Sequence, residues 1–233
     1  MLAVAGKQIV GGERMKPPRQ PAREAVSAAH YNSADHVSIP TMALKAAFVD
    51  ACALTGIIPS TEGRTFIQIH DAKNDEDKVE IIGDVQRIRL DNVRNESGVL
   101  DLRFRPQFWP WAAAIRVLYV SPPLDPEKIL YIATYAGMCG VGAWRPKSKE
   151  ARNGSYGTFK PVSKEEYDKF AKQYTAISRE RVAEVADSFE SELLAQIKFM
   201  KQARGIPADE IIDVANTVGV GAGLDVTGHG EAR

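Results

Sequence analysis

Cysteine is scarce: two residues in a chain of 233, Cys52 and Cys139, both in apolar surroundings. That excludes a disulfide scaffold and a cysteine zinc site, and fits small buried hydrophobes. Four histidines, His30, His36, His70 and His229, show no metal-ligand spacing, so neither a metal nor another cofactor is expected. No apolar run approaches the ~18 residues of a membrane span, which argues against a membrane partner. Met1 to Gly12 has no basic region leading into an apolar core with a cleavage site, and this predicts a cytoplasmic protein. A Walker-type loop, a strand-to-helix nucleophile elbow and a paired-carboxylate constellation are also missing, which makes an enzyme the weaker expectation.

Net charge is absent too, at zero from 30 basic and 30 acidic side chains, but its distribution is uneven. Residues 87–160 carry twelve basic and six acidic side chains, while the flanks 1–86 and 161–233 are mildly acidic. A basic middle of this kind fits a nucleic-acid face within an otherwise neutral protein.

Glycine and proline punctuation divides the chain. Residues 1–38 are expected to be an irregular arm, with two helical turns from Ala22 to Ala29. Pro40 then opens a helix from Thr41 to Leu54, with Met42, Ala46, Val49 and Ala53 as its apolar stripe and Gly56 as its stop. Short strands are expected at Thr65–His70, Val79–Ile82, Val85–Val93 and Val99–Arg105, the last closed by Pro106. Its alternation puts Arg103 and Arg105 on one face, opposite Leu102 and Phe104. Trp109-Pro110-Trp111 leads into a strand from Ala112 to Val120. Asp125-Pro126 starts a second helix, with Ile129, Ile132, Ala133 and Ala136 buried and Gly137 at its end. A short strand from Tyr156 to Pro161 follows.

The order helix, strands, helix, strand is that of an α+β domain over 39–162, with helices on one face of an antiparallel sheet. A helical extension over 163–217 begins at the capping box Ser163-Lys164-Glu165-Glu166. Phe170 to Ile197 carry an apolar stripe of one helix of roughly ten turns, or of two stacked pieces. A short helix from Ala208 to Ala215 and a disordered tail over 218–233 complete the expectation.

Between Gly140 and Phe159 the sequence reads GVGAWRPKSKEARNGSYGTF. Gly140 and Gly142, then Gly154 and Gly157, bracket Arg145, Lys147, Lys149 and Arg152. Glycines permit positive backbone angles and close approach, and the cations between them suit a run of phosphates. A plain hairpin with solvated charges is the alternative. Arg103 and Arg105 add phosphate contacts, and Trp109, Trp144, Tyr156 and Phe159 are placed to stack bases, while Trp111 and Phe104 are expected in the core. His30 and His36, with Asp35, are weak candidates for acid–base chemistry, against the plainer reading of solvated loop side chains.

Three pieces in this order resemble the repeat-associated mysterious protein (RAMP) superfamily, whose ferredoxin-like, RNA-recognition-type (RRM-like) subunits form the backbone of CRISPR effector complexes. They are Ile39-Pro40-Thr41-Met42-Ala43-Leu44-Lys45, the Val117 strand with the Pro126–Gly137 helix, and Gly140–Phe159. The sequence is similar, more closely, to a group of phage and prophage proteins with a GVGxWRP…GxFGxF signature preceded by RxRPxFxxW, here Arg103 to Trp111. The resemblance spans roughly 22–162. It implies a ferredoxin-like fold, single-stranded nucleic acid (RNA or DNA) or an RNA–DNA hybrid as partner, and oligomerisation along it in the cytoplasm of a bacterial host. It also places Lys45 beside the glycine loop. The strand that in the relatives precedes the first helix by some tens of residues would fall in the proline-rich stretch 1–38, and is expected to be absent here or supplied by a neighbour. The alternatives are a purely protein-binding part, either an assembly component or an inhibitor that mimics a CRISPR backbone subunit, and a metal-independent endoribonuclease.

Overall fold

The computed structural model describes residues 9–10, 13–14, 19–73, 77–94, 100–147 and 154–203. The architecture is α+β, as expected from the sequence. Two short strands, β1 (Ile9–Val10) and β2 (Glu13–Arg14), pair with each other. Helix α1 (Pro21–Ser27), with proline in its first turn, leads to β3 (His30–Tyr31) and β4 (Val37–Pro40). Part of the stretch expected to be irregular is therefore built into the fold, with β4 running directly into the first long helix.

That helix, α2 (Thr41–Thr55), ends on Gly56, whose φ of 66° and N–H to the Cys52 carbonyl make a left-handed cap. Its buried face is Leu44, Ala47, Phe48, Ala51 and Cys52, and Met42 is exposed. The buried face is rotated from the stripe expected from the sequence, because α2 is apolar nearly all round and offers no unique face. A short helix, α3 (Ser60–Phe66), occupies part of what reads as strand, and β5 (Ile67–Asp71) follows it.

Two long strands, β6 (Lys78–Arg94) and β7 (Leu100–Ala113), form an antiparallel arm, and β8 (Ile115–Tyr119) continues after Ala113. Sheet order is β3-β4-β6-β7, with β5 and β8 as a separate antiparallel pair. Sequence punctuation suggests breaks at Gly83-Asp84 and at Pro106, but both strands run through. At Gly83 (φ 150°) a Cβ would lie 2.1 Å from the Pro110 carbonyl, so only glycine admits the irregular register there. Helix α4 (Pro126–Cys139) is capped by Asp125, which accepts the Lys128 N–H at 2.9 Å. It packs with α2 in a core with β5 and β8, through Phe48, Ile67, Leu124, Ile132 and Ala136.

The extension is two helices, α5 (Lys164–Gln173), with the capping box at Ser163 and Glu166, and α6 (Arg179–Ala203). Between them the backbone is drawn into the sheet region: Val37 donates to the Ile177 carbonyl and Gly83 to that of Thr175. These bonds compete with helical ones and divide the stripe. Arg179 pins the junction, bonding Asp35 at 2.6 Å and lying 3.9 Å over the Tyr31 ring. Helices α1 and α6 cover one face of the arm through Ala25, Ile88, Phe104 and Ala186. The expected helix at 208–215 and tail at 218–233 lie outside the described residues. No helix among those described is long and apolar enough to cross a membrane.

Candidate functional site

The glycine segment leaves α4 through Gly140 (φ 73°) and folds back along the helix end. Val141 donates to the Gly157 carbonyl, Tyr156 to that of Trp144 and Phe159 to that of Gly137, so the legs 140–147 and 154–159 are zipped together. The glycines serve this closure. A Cβ at Gly137, Gly154 or Gly157 would stand 1.9, 2.0 or 1.7 Å from the carbonyl oxygens of Phe159, Trp144 and Val141. These glycines do permit close approach, but the approaching backbone is the segment's own.

The expected strand at Tyr156–Pro161 is not formed, because these backbone groups bond to α4 and to the opposite leg instead of joining a ladder. Gly142 (φ 77°) is different: a Cβ there would meet nothing within 4 Å, and the Gly142 carbonyl accepts from Arg145 at 3.1 Å. Trp144 takes a positive φ of 63° and is half-buried, while Lys147 is exposed. Lys149 and Arg152 lie outside the described residues.

The arm supplies the second part. Cross-strand partners share a face, and Arg89 stands opposite Arg105, Asp91 opposite Arg103, and Arg87 opposite Gln107. The other face sends Ile88 and Phe104 against α1 and α6. On the polar face Arg89 grips the buried Asp91 with Nη2 at 2.7 Å and Nε at 3.1 Å, and Arg105 reaches the same carboxylate at 3.5 Å. Arg103 bonds Asp101 at 3.3 Å and Arg87 bonds Gln107 at 3.1 Å, both from exposed positions. Trp109, two residues beyond Gln107, is 61% exposed. Trp111 and Phe104 are packed in the core regions, as expected.

Two contacts join the parts: the Trp111 and Phe159 rings meet edge-on at 6.3 Å on the core side, and a stack forms on the polar side. The Arg89 guanidinium lies 3.9 Å from the centre of the Tyr156 ring, which places the second leg of the glycine segment against the polar face of the arm. Arg87, Arg89 and Asp91 are not among the site residues expected from the sequence. Their signal is the same two-residue alternation that singles out Arg103 and Arg105, but the pairing register is needed to put them together.

The remaining candidates lie elsewhere. Lys45 bonds Gln68 of β5 at 2.9 Å. His30 pairs with Ser38 in the β3–β4 ladder, and His36 Nδ1 lies 2.8 Å from Glu80, which also holds Lys73 at 2.8 Å. Burial pushes the Glu80 carboxyl up, but the hydrogen bonds of Lys73 and His36 outweigh it and hold the group below the usual glutamate range. Its stabilisation is therefore complete above the unfolded-chain value of ~4.3 and is lost as pH falls through the lower folded value. Glu80→Gln is expected to lower the melting temperature at neutral pH and to flatten the acid limb of stability, measured by thermal unfolding from about pH 3 to about pH 7. An unchanged acid limb would contradict this assignment.

No group of three or more histidine, cysteine, aspartate or glutamate side chains among the described residues is arranged to hold a metal ion. A scan of protein-family models, a search of curated proteins and a search of solved structures each find no match to this chain.

Proposed function

We propose that the polar face of the β6–β7 arm, extended by the glycine segment, binds single-stranded nucleic acid, along which copies of the chain assemble. The observation that carries this is the row of Arg87, Arg103 and Arg105 leading to an exposed Trp109 on one arm. Alternate residues of a strand are about 6.7 Å apart, the scale on which successive phosphates of a single strand follow one another. Arginine offers each phosphate a fork of donors, and an exposed indole offers an unpaired base a stacking surface. A duplex keeps its bases stacked inside and makes no use of the indole.

The proposal includes the RAMP-like, ferredoxin-like assignment, supported by the strand–helix unit β4–α2 and by α4 running directly into the glycine segment. In this reading the segment's glycines shape it, and its exposed Lys147 and half-buried Arg145 extend the cationic track.

Fluorescence anisotropy with labelled single-stranded DNA, single-stranded RNA, hybrid and duplex across a salt series tests it. Single strands are expected to bind more tightly than duplex, with affinity falling as salt rises. Trp109→Ala is expected to cost about 1–3 kcal/mol of binding, and Arg103→Ala to lower the salt slope by roughly 0.7. A purified chain that binds none of these probes, yet runs as an oligomer, would overturn the reading in favour of a protein-binding component. Exposed Leu130, Tyr131 and Met138 on α4 would then be the surface to examine.

A further inference from the structure

We infer that Asp91 is a positioning residue of this interface, the group that fixes Arg89 and Arg105 and, through Arg89, the second leg of the glycine segment in their binding arrangement. The inference rests on the nucleic-acid reading above. Arg89 and Arg105 stand directly across the ladder from each other, and two like charges so placed repel. Asp91 lies beside both and is itself buried, so its carboxylate is shielded from competing water. Two cations and one anion leave the cluster net positive, so Asp91 organises the charge without cancelling it.

The geometry divides the labour among the arginines. Arg89 gives Nε and Nη2 to Asp91, is nearly buried and carries the Tyr156 ring on its face. With that edge and that face occupied, it acts as a staple between arm and segment. Arg105 touches Asp91 with one nitrogen at the limit of hydrogen-bond range, which leaves its other donors unengaged by that carboxylate. Phe159 anchors the segment on α4 and Trp111, and the chain from Asp91 through Arg89 to Tyr156 ties its second leg to the polar face beside Arg105.

The test is a cycle read by anisotropy with a labelled oligothymidylate of about 16 nucleotides, long enough for one site. Asp91→Asn keeps the shape and removes the charge. Tyr156→Leu breaks the stack from a partly exposed loop position, and keeps the test available should Asp91→Asn fail to fold. Each single change is expected to weaken binding roughly tenfold at low salt and to lower the salt slope by about 0.7, one phosphate contact. The double change is expected to be no worse than either alone, because both break the same linkage. Tyr156→Phe, which keeps the ring, is expected to bind as the unaltered chain does.

Unchanged or tighter binding by Asp91→Asn, while the unaltered chain binds, would overturn the inference; tighter binding would mean that Asp91 competes with phosphate. Losses that multiply in the double variant would overturn it as well. Absence of binding by the unaltered chain would instead overturn the nucleic-acid reading on which it rests.

Discussion

Replacing Gly137 with alanine is expected to destabilise the protein by about 3 kcal/mol, although the same change inside an ordinary helix stabilises by ~0.5–1 kcal/mol. The sign reverses because a Cβ at this position would stand 1.9 Å from the Phe159 oxygen and 2.8 Å from its carbonyl carbon. Both are backbone atoms, so no rotamer change relieves the contact. The segment must move off α4, losing the Phe159 N–H to Gly137 carbonyl bond of 3.1 Å and the edge contact of Phe159 with Trp111. Gly157→Ala is expected to be at least as damaging, since it adds a positive φ of 69° to a 1.7 Å clash with the Val141 oxygen. Gly142→Ala is the control: its φ is also positive, at 77°, but the space is open, so only a strain of roughly 1 kcal/mol applies. Urea unfolding of the three variants measures the order. A Gly137→Ala variant as stable as the unaltered chain would show that the segment does not rest on α4.

That contrast also shows what is legible in the sequence. Elements set by a few neighbouring residues can be read directly: α2 after Pro40, the start of α4 at Asp125-Pro126 (its end lies at Gly140, one turn beyond the expected Gly137), and the capping box of α5. Features set by distant backbone cannot. Nothing local at Tyr174–Ser178 stops a helix, and the apolar stripe continues through it. It is extended because Val37 and Gly83, remote in sequence, donate to its carbonyls. Strand β6 reads as two pieces until Gly83 is seen beneath the Pro110 carbonyl. The same limit applies at the candidate site. The two-residue period puts Arg103 and Arg105 on one face, but only the register brings Asp91 and Arg89 to them and Tyr156 over Arg89. Glycine spacing announces a close backbone approach without identifying the approaching group.

Phe104→Ala is expected to cost about 3–5 kcal/mol, and to concentrate that loss in one part of the molecule. Phe104 is 2% exposed and sits in a small cluster with Ala22, Ala25, Ile88 and Ala186. Its ring centre is 6.0 Å from that of Phe189 in α6, and Arg19 lies over its face at 5.7 Å. This cluster, with a neighbouring one in which Val26 and Val182 pack against Ile81 and Val85, holds α1 and α6 on the arm, whereas α2 and α4 are held by a separate and larger core. A cavity at Phe104 therefore weakens the seat of α1 and α6 while leaving the contacts of α2 and α4 intact. Amide hydrogen exchange is expected to quicken in α1 and α6 by roughly a hundredfold or more, with α2 and α4 keeping most of their protection. Phe104→Leu, which refills much of the volume with apolar atoms, is expected to recover most of the loss. Equal loss of protection in all four helices would mean that the separate clusters unfold as one unit. In the first case the arm is a separable platform, braced on its apolar face by α1 and α6.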